Sequence, residues 1–198
     1  MEDCDIPAEL LRMAVEIVGF TPPPGMEKLV EFHRPLVRRV ANNLEAPPRE
    51  MTEEEADIVQ EITRAFEGVQ CQNEPMVLLG GEAEDDYMPP EVMDYLPAVE
   101  EREDWTKIHP ALLQAATCSL CYVGPEALRF LAPAFMCAGL RYGGWMWENT
   151  TYTLISKTRD YSLFTPEQMH AVARFIALET KDEFTPLTAE DFAPWLSL

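Results

Sequence analysis

Basic residues are scarce in this chain. Lysine and arginine number 15 against 35 aspartates and glutamates, a formal net charge of −20 over 198 residues. A field of that sign repels polyanions, which removes DNA, RNA and anionic lipid surfaces from the expected partners. Long apolar runs are missing too: nothing approaches the roughly 18 uninterrupted apolar residues of a membrane-spanning helix, so no membrane association is expected. The first residues carry Glu2, Asp3 and Asp5, where a secretory signal would carry bases followed by an apolar stretch, and a soluble cytoplasmic protein is the expectation. Cysteine is sparse and odd in number (Cys4, Cys71, Cys118, Cys121, Cys137), without the spacing of a disulfide framework, so reduced thiols and no structural disulfide are expected. With three histidines, no Gly-x-Ser-x-Gly and no phosphate-cradling glycine loop, the chain shows no catalytic signature and implies no cofactor. Internal repeats are absent.

What is present is acid, and it is concentrated. Residues 1–49 carry 8 acids and 6 bases, 50–104 carry 18 and 2, and 105–198 carry 9 and 7, so the middle stretch holds −16 of the −20. At 47% hydrophobic the chain has material for one sizeable core, and a domain of this length buries roughly 70% of its unfolded surface. The expected organisation is an N-terminal helical extension, 1–48, and a single globular domain, 49–198, containing an acidic segment, 82–104.

Apolar spacing predicts a helix over Pro7 to Val18, with Asp5 as N-cap and Gly19 as stop. A second helix over Met26 to Leu44 is expected to kink near His33 because Pro35 interrupts it, and its Arg34, Arg38 and Arg39 form the one basic cluster, poised against the acidic middle or another subunit. Thr52 and Glu55 have capping-box spacing, and Glu53, Glu54 and Glu55 suit the positive end of a helix that Gly68 terminates. Short strands are expected at Met76–Leu79, where Gly80 and Gly81 end the run, at Ser119–Val123 and at Tyr152–Ile155. The run Leu128–Leu140 is almost wholly apolar and belongs at the core, broken before Pro133. Gly143–Trp147 reads as a loop. Thr165, Pro166 and Gln168 mark a helix start with Phe164 as staple, and Thr188 to Asp191 open a terminal helix. The fold class is mainly α with a few short β strands.

Several constellations have chemical precedents. Cys118-Ser-Leu-Cys121 has the CxxC spacing of thiol oxidoreductases and of half a zinc site; without a second ligand pair, and with the sulfurs on opposite faces of a strand, two small buried hydrophobes are the plainer reading. Glu167 and His170 make one Glu-x-x-His step where a di-metal bundle needs two, and Glu27, Glu31 and His33 add no second copy. Glu84, Asp85 and Asp86 lack the spaced oxygens and turn glycine of a calcium loop, so no metal is expected. Tyr142, Trp145, Trp147 and Tyr152 are either exposed anchors or core filling, the latter favoured by the general burial of large aromatics.

Ile62-Thr-Arg-Ala-Phe-Glu-Gly-Val69, the acidic stretch with Asp86-Tyr87, Trp105 ahead of a short helix, Ala127-Leu-Arg-Phe-Leu-Ala-Pro-Ala-Phe-Met136 and Phe164-Thr-Pro-Glu-Gln168 together resemble an uncharacterised bacterial domain family. Its marks are an aromatic-Leu-x-Pro-Ala-aromatic helix and a Phe-Thr-x-Glu-Gln helix start. The resemblance spans about residues 53–179, departs from the usual pattern in having Leu-Ala rather than Tyr-Leu before Pro133, and implies a fold without implying an activity or a catalytic residue.

The leading functional expectation is a non-enzymatic binding module of the immunity or inhibitor type. Its acidic segment would cover a basic surface on a partner protein, such as a cationic toxin, through Glu84, Asp85, Asp86, Tyr87, Asp94, Tyr95, Glu100 and Glu101. The alternatives are an enzyme built from carboxylates around Trp105 and His109 or from Cys118 and Cys121, and a self-associating domain that dimerises through its N-terminal helices.

Overall fold

The computed structural model describes residues 6–156 and 160–179. Asp5, Cys4 and the helix expected from Thr188 lie outside the described residues, as do the side chains of Trp145 and Trp147. Within them the chain forms nine α-helices and three short 3-10 turns, with no strand.

Helices α1 (Ala8–Val18) and α2 (Glu27–Asn43) form an antiparallel pair, and α2 packs on α6 (Pro110–Ala115). α1 ends at Gly19, in the left-handed region at φ 84°. α2 runs through Pro35 as one helix and is not split there. Pro35 and Glu31, whose carbonyl loses its helical donor, both lie on the solvent side, where water replaces the missing bond. On the opposite face Leu29, Phe32, Leu36, Val40 and Ala41 enter the same buried cluster as the rest of the chain, so the first 48 residues help build that core.

Helix α3 (Glu53–Ala65) starts at the expected capping box, with Glu55 N donating to Thr52 Oγ1 at 3.2 Å and Thr52 N donating to Glu55 Oε2 at 2.6 Å. α9 (Pro166–Glu179) starts at the second box, Gln168 N to Thr165 Oγ1 at 3.3 Å and Thr165 N to Gln168 Oε1 at 3.1 Å. These two helices pack together. Phe164 packs edge-on to Phe66, the centroids 5.8 Å apart.

The core is organised around α7 (Pro125–Tyr142), against which α3, α6 and α8 (Gly144–Ile155) pack. The expected break before Pro133 does not occur. Phe130, Leu131, Phe135 and Met136 are fully buried on this helix. Each contributes roughly 1.5–3 kcal/mol, which together exceeds the penalty of about 3 kcal/mol for an interior proline.

All three expected strands are helical instead. Tyr152–Ile155 is the end of α8, which begins where a loop was expected. Ser119–Cys121 is a 3-10 turn. Met76–Leu79 leads into α4 (Leu78–Asp85), with Gly80 and Gly81 inside the helix rather than at the end of a strand. The reasons are tertiary. A Cβ on Gly81 would lie 2.7 Å from the Ser119 carbonyl oxygen, so glycine is what lets α4 sit directly on the 119–121 turn, and Ser119 Oγ donates to Leu78 O at 2.7 Å across that contact. α4 has no local cap, and its first amides are satisfied by Glu100, whose Oε2 accepts from Leu79 N at 2.7 Å and Gly80 N at 3.4 Å.

Candidate functional site

The acidic segment is built into the fold as α4, α5 (Pro90–Met93) and two 3-10 turns, Leu96–Ala98 and Trp105–Lys107. Its carboxylates divide into those the fold consumes and those it displays.

Glu100 is consumed: its side chain is 1% exposed, it caps α4, and Arg102 lies beside it at 3.4 Å. Burial pushes its carboxyl upward while the Leu79 and Gly80 amides and Arg102 pull the other way. Arg102 also donates to Glu74 O at 2.7 Å. Glu101 Oε1 accepts from Glu103 N at 2.8 Å and Asp104 N at 3.0 Å. Tyr95 is half-buried with its ring 5.8 Å from that of Phe20, so it ties the segment to the loop after α1. Glu82 is 6% exposed and accepts from Arg39 Nη2 at 2.7 Å, with Asp86 3.8 Å from the same nitrogen. Desolvation first, then the charges of Asp86 and Asp85, push Glu82 up to about 7 against the pull of Arg39. The basic side of α2 therefore meets the acidic middle within one chain.

Glu84, Asp86, Tyr87 and Asp94 are displayed, and Asp85 is half-exposed. Tyr87 terminates α4 in a Schellman arrangement: Met88 N donates to Ala83 O at 2.9 Å and Tyr87 N to Glu84 O at 3.1 Å. The position that usually holds glycine here holds tyrosine at φ 54°, the one non-glycine residue with positive φ among those described. Its side chain is 94% exposed, so no burial offsets the strain. Tyr122, 40% exposed, extends the face by donating from its hydroxyl to Asp85 Oδ1 at 2.7 Å, and this bond to a carboxylate pushes the phenol up to about 12. Cys118 lies near the same edge: burial first, then the charges of Asp85 and Glu82, push its thiol upward. Of the eight residues expected at the binding surface, Glu84, Asp85, Asp86 and Tyr87 are thus gathered on the end of α4 and Asp94 is exposed after α5. Tyr95, Glu100 and Glu101 serve the fold. Tyr122 joins from 37 residues away, and no spacing in the sequence announces it.

Trp105 and His109, named in the enzymatic alternative, make structural hydrogen bonds. Trp105 is buried and its indole N–H donates to Phe66 O at 2.9 Å. His109 Nδ1 accepts from Ala111 N at 3.1 Å, which caps α6, and burial lowers its basicity. A cavity of about 250 Å³ beside it is lined by Val18, Leu79, Glu101, Lys107, His109 and Leu112. His170 of the Glu-x-x-His step faces Glu61 of α3 at 3.4 Å, beside the Arg174 pair with Asp57 at 2.9 Å. His33 contacts Phe20 O at 2.9 Å. Among the described residues no three histidines, cysteines or carboxylates are grouped to hold a metal, and no helix is long and apolar enough to cross a membrane.

The fold and this face define a mainly helical protein built on a buried, proline-containing helix and carrying an acidic edge with a protruding tyrosine. The chain belongs to the family of unknown function DUF6714, whose family model matches residues 54–193. Helices α1 and α2 lie outside that match. The comparisons with curated proteins and with solved structures found no match.

Proposed function

We propose that the chain is a non-enzymatic protein-binding module of the immunity or inhibitor type, and that the end of α4 covers a basic surface on a partner protein. The observation that carries this reading is Tyr87, held at φ 54° and 94% exposed between displayed carboxylates. A strained, uncovered aromatic costs the free chain stability and gains it nothing there, which is the energetic pattern of a binding anchor. Glu84 and Asp86 flanking it in the chain, with Asp94 exposed after α5, supply the long-range attraction that speeds encounter with a cation-rich surface. A cationic toxin such as a nuclease has the matching chemistry.

Self-association through the N-terminal helices draws on less, because the apolar stripe of α2 is already buried within the chain. The test is affinity capture with the full chain at low and high salt, alongside the variant Glu84→Gln/Asp86→Asn/Asp94→Asn and the variant Tyr87→Ala. The reading expects a basic protein retained at low salt, released by high salt, and retained more weakly by both variants. Equal retention by wild type and both variants overturns it.

A further inference from the structure

Cys118 and Cys121 matter beyond their place beside the acidic edge. On a strand, residues three apart point to opposite faces. The segment is instead a 3-10 turn closed by Cys121 N donating to Cys118 O at 2.9 Å, and in that geometry side chains three apart eclipse one another. A hydrogen-bonded turn holds such Cα atoms within about 7 Å, which overlaps the span of roughly 4.4–6.8 Å that a disulfide bridges. These two residues are also the more exposed of the described cysteines. Cys121 is exposed and Cys118 half-exposed, whereas Cys71 and Cys137 are buried. The Cys121 sulfur lies against Thr153 Oγ1 at 3.7 Å, on α8, so the turn is braced from behind.

We propose that Cys118 and Cys121 form a reversible dithiol–disulfide pair, oxidised by low-molecular-weight disulfides such as glutathione disulfide. The exposed Cys121 thiolate attacks one sulfur of glutathione disulfide, breaking that S–S bond and releasing one glutathione thiolate. Cys118 then loses its proton to water and attacks the Cys121 sulfur, releasing the second glutathione and closing the internal disulfide. Two electrons and two protons leave the protein dithiol, and one glutathione disulfide becomes two glutathione thiols. Burial first, then the charges of Asp85 and Glu82, push the Cys118 thiol above the ordinary range. Their effect opposes the thiolate that a fast oxidoreductase needs, so the pair responds slowly and stoichiometrically. Closure takes place within the electrostatic reach of Asp85 and Glu82, beside the acidic edge, but the pair stands whether or not that edge binds a partner.

The experiment treats the folded full-length chain with excess glutathione disulfide, quenches with acid, alkylates the remaining thiols and maps the cysteines by mass spectrometry. The expected product is a peptide spanning 118–121 that has lost two hydrogens, escapes alkylation at both positions and regains it after dithiothreitol. Cys118→Ser is expected to trap glutathione on Cys121, and Cys121→Ser to leave Cys118 largely unmodified. Wild-type protein that ends with glutathione on Cys121 and no internal link overturns the proposal, as does a disulfide from either residue to Cys4.

Discussion

Two side chains at the end of α4 sit in positions that cost the folded chain free energy. Tyr87 occupies the left-handed region at φ 54°, a conformation that costs a non-glycine residue roughly 1–2 kcal/mol, of which glycine returns part after its own entropy cost of about 0.5–1 kcal/mol. Tyr87→Gly should therefore stabilise the chain by up to about 1 kcal/mol in urea denaturation while weakening capture of the partner, which separates an anchor from a fold-supporting residue. Glu82 carries the second cost. Its carboxyl rises from the ordinary value near 4.5 to about 7. Between those values the folded chain keeps a proton on Glu82 that the unfolded chain has released, so the contribution of this group to stability is greatest below pH 4.5 and falls as pH rises through the window to about 7. Glu82→Gln removes that slope. At pH 8 it should gain on the order of 1–2 kcal/mol, allowing for the weakened contact to the partly solvent-exposed Arg39. Urea midpoints compared at pH 4.5 and pH 8 check it, and an unchanged pH slope in the variant contradicts it.

Helix α4 shows what an element owes to its surroundings. Leu78-Leu-Gly-Gly-Glu has two glycines near its start and no Ser, Thr, Asp or Asn ahead of it, so its local helix preference is poor. It forms because Glu100 caps it from 21 residues away and because Gly81 permits contact with the 119–121 turn. Glu100→Ala should cost about 3 kcal/mol or more, since it strands buried amides and the part-buried Arg102 together. Gly81→Ala should cost about 1–3 kcal/mol through overpacking against backbone that has little room to move. Thermal and urea unfolding of the two variants measure both. The start of α7 follows the same logic, with Glu74 Oε1 accepting from Glu126 N at 3.2 Å. By contrast the Thr52–Glu55 and Thr165–Gln168 boxes close between residues three apart, and both were legible in the sequence for that reason.

At the scale of the whole molecule, the family match begins at residue 54, yet the core does not. Phe32, Leu36 and Val40 of α2 are buried with the family helices, and Arg39 partners Glu82. Removing residues 1–48 should leave a chain that contains the whole matched region but exposes that apolar surface and strands Glu82. Loss of a cooperative unfolding transition, or aggregation on size exclusion, is the expected result. The concentration of acid, the two capping boxes, the glycine stop after α1 and the apolar character of α7 were all determined by the sequence alone, because each depends on composition or on residues within a few positions. The tertiary structure decided the rest. It put helix or 3-10 turn where three segments read as strands, carried α2 and α7 through their prolines, set Cys118 and Cys121 on one 3-10 turn, and sorted the carboxylates into buried caps and a displayed edge. Those outcomes rest on contacts spanning 20 to 50 residues, such as Glu100 with Leu79, Asp85 with Tyr122 and Arg39 with Glu82. Burial and long-range partners set the energy of a charge or a backbone group, and neither is written in the residues beside it.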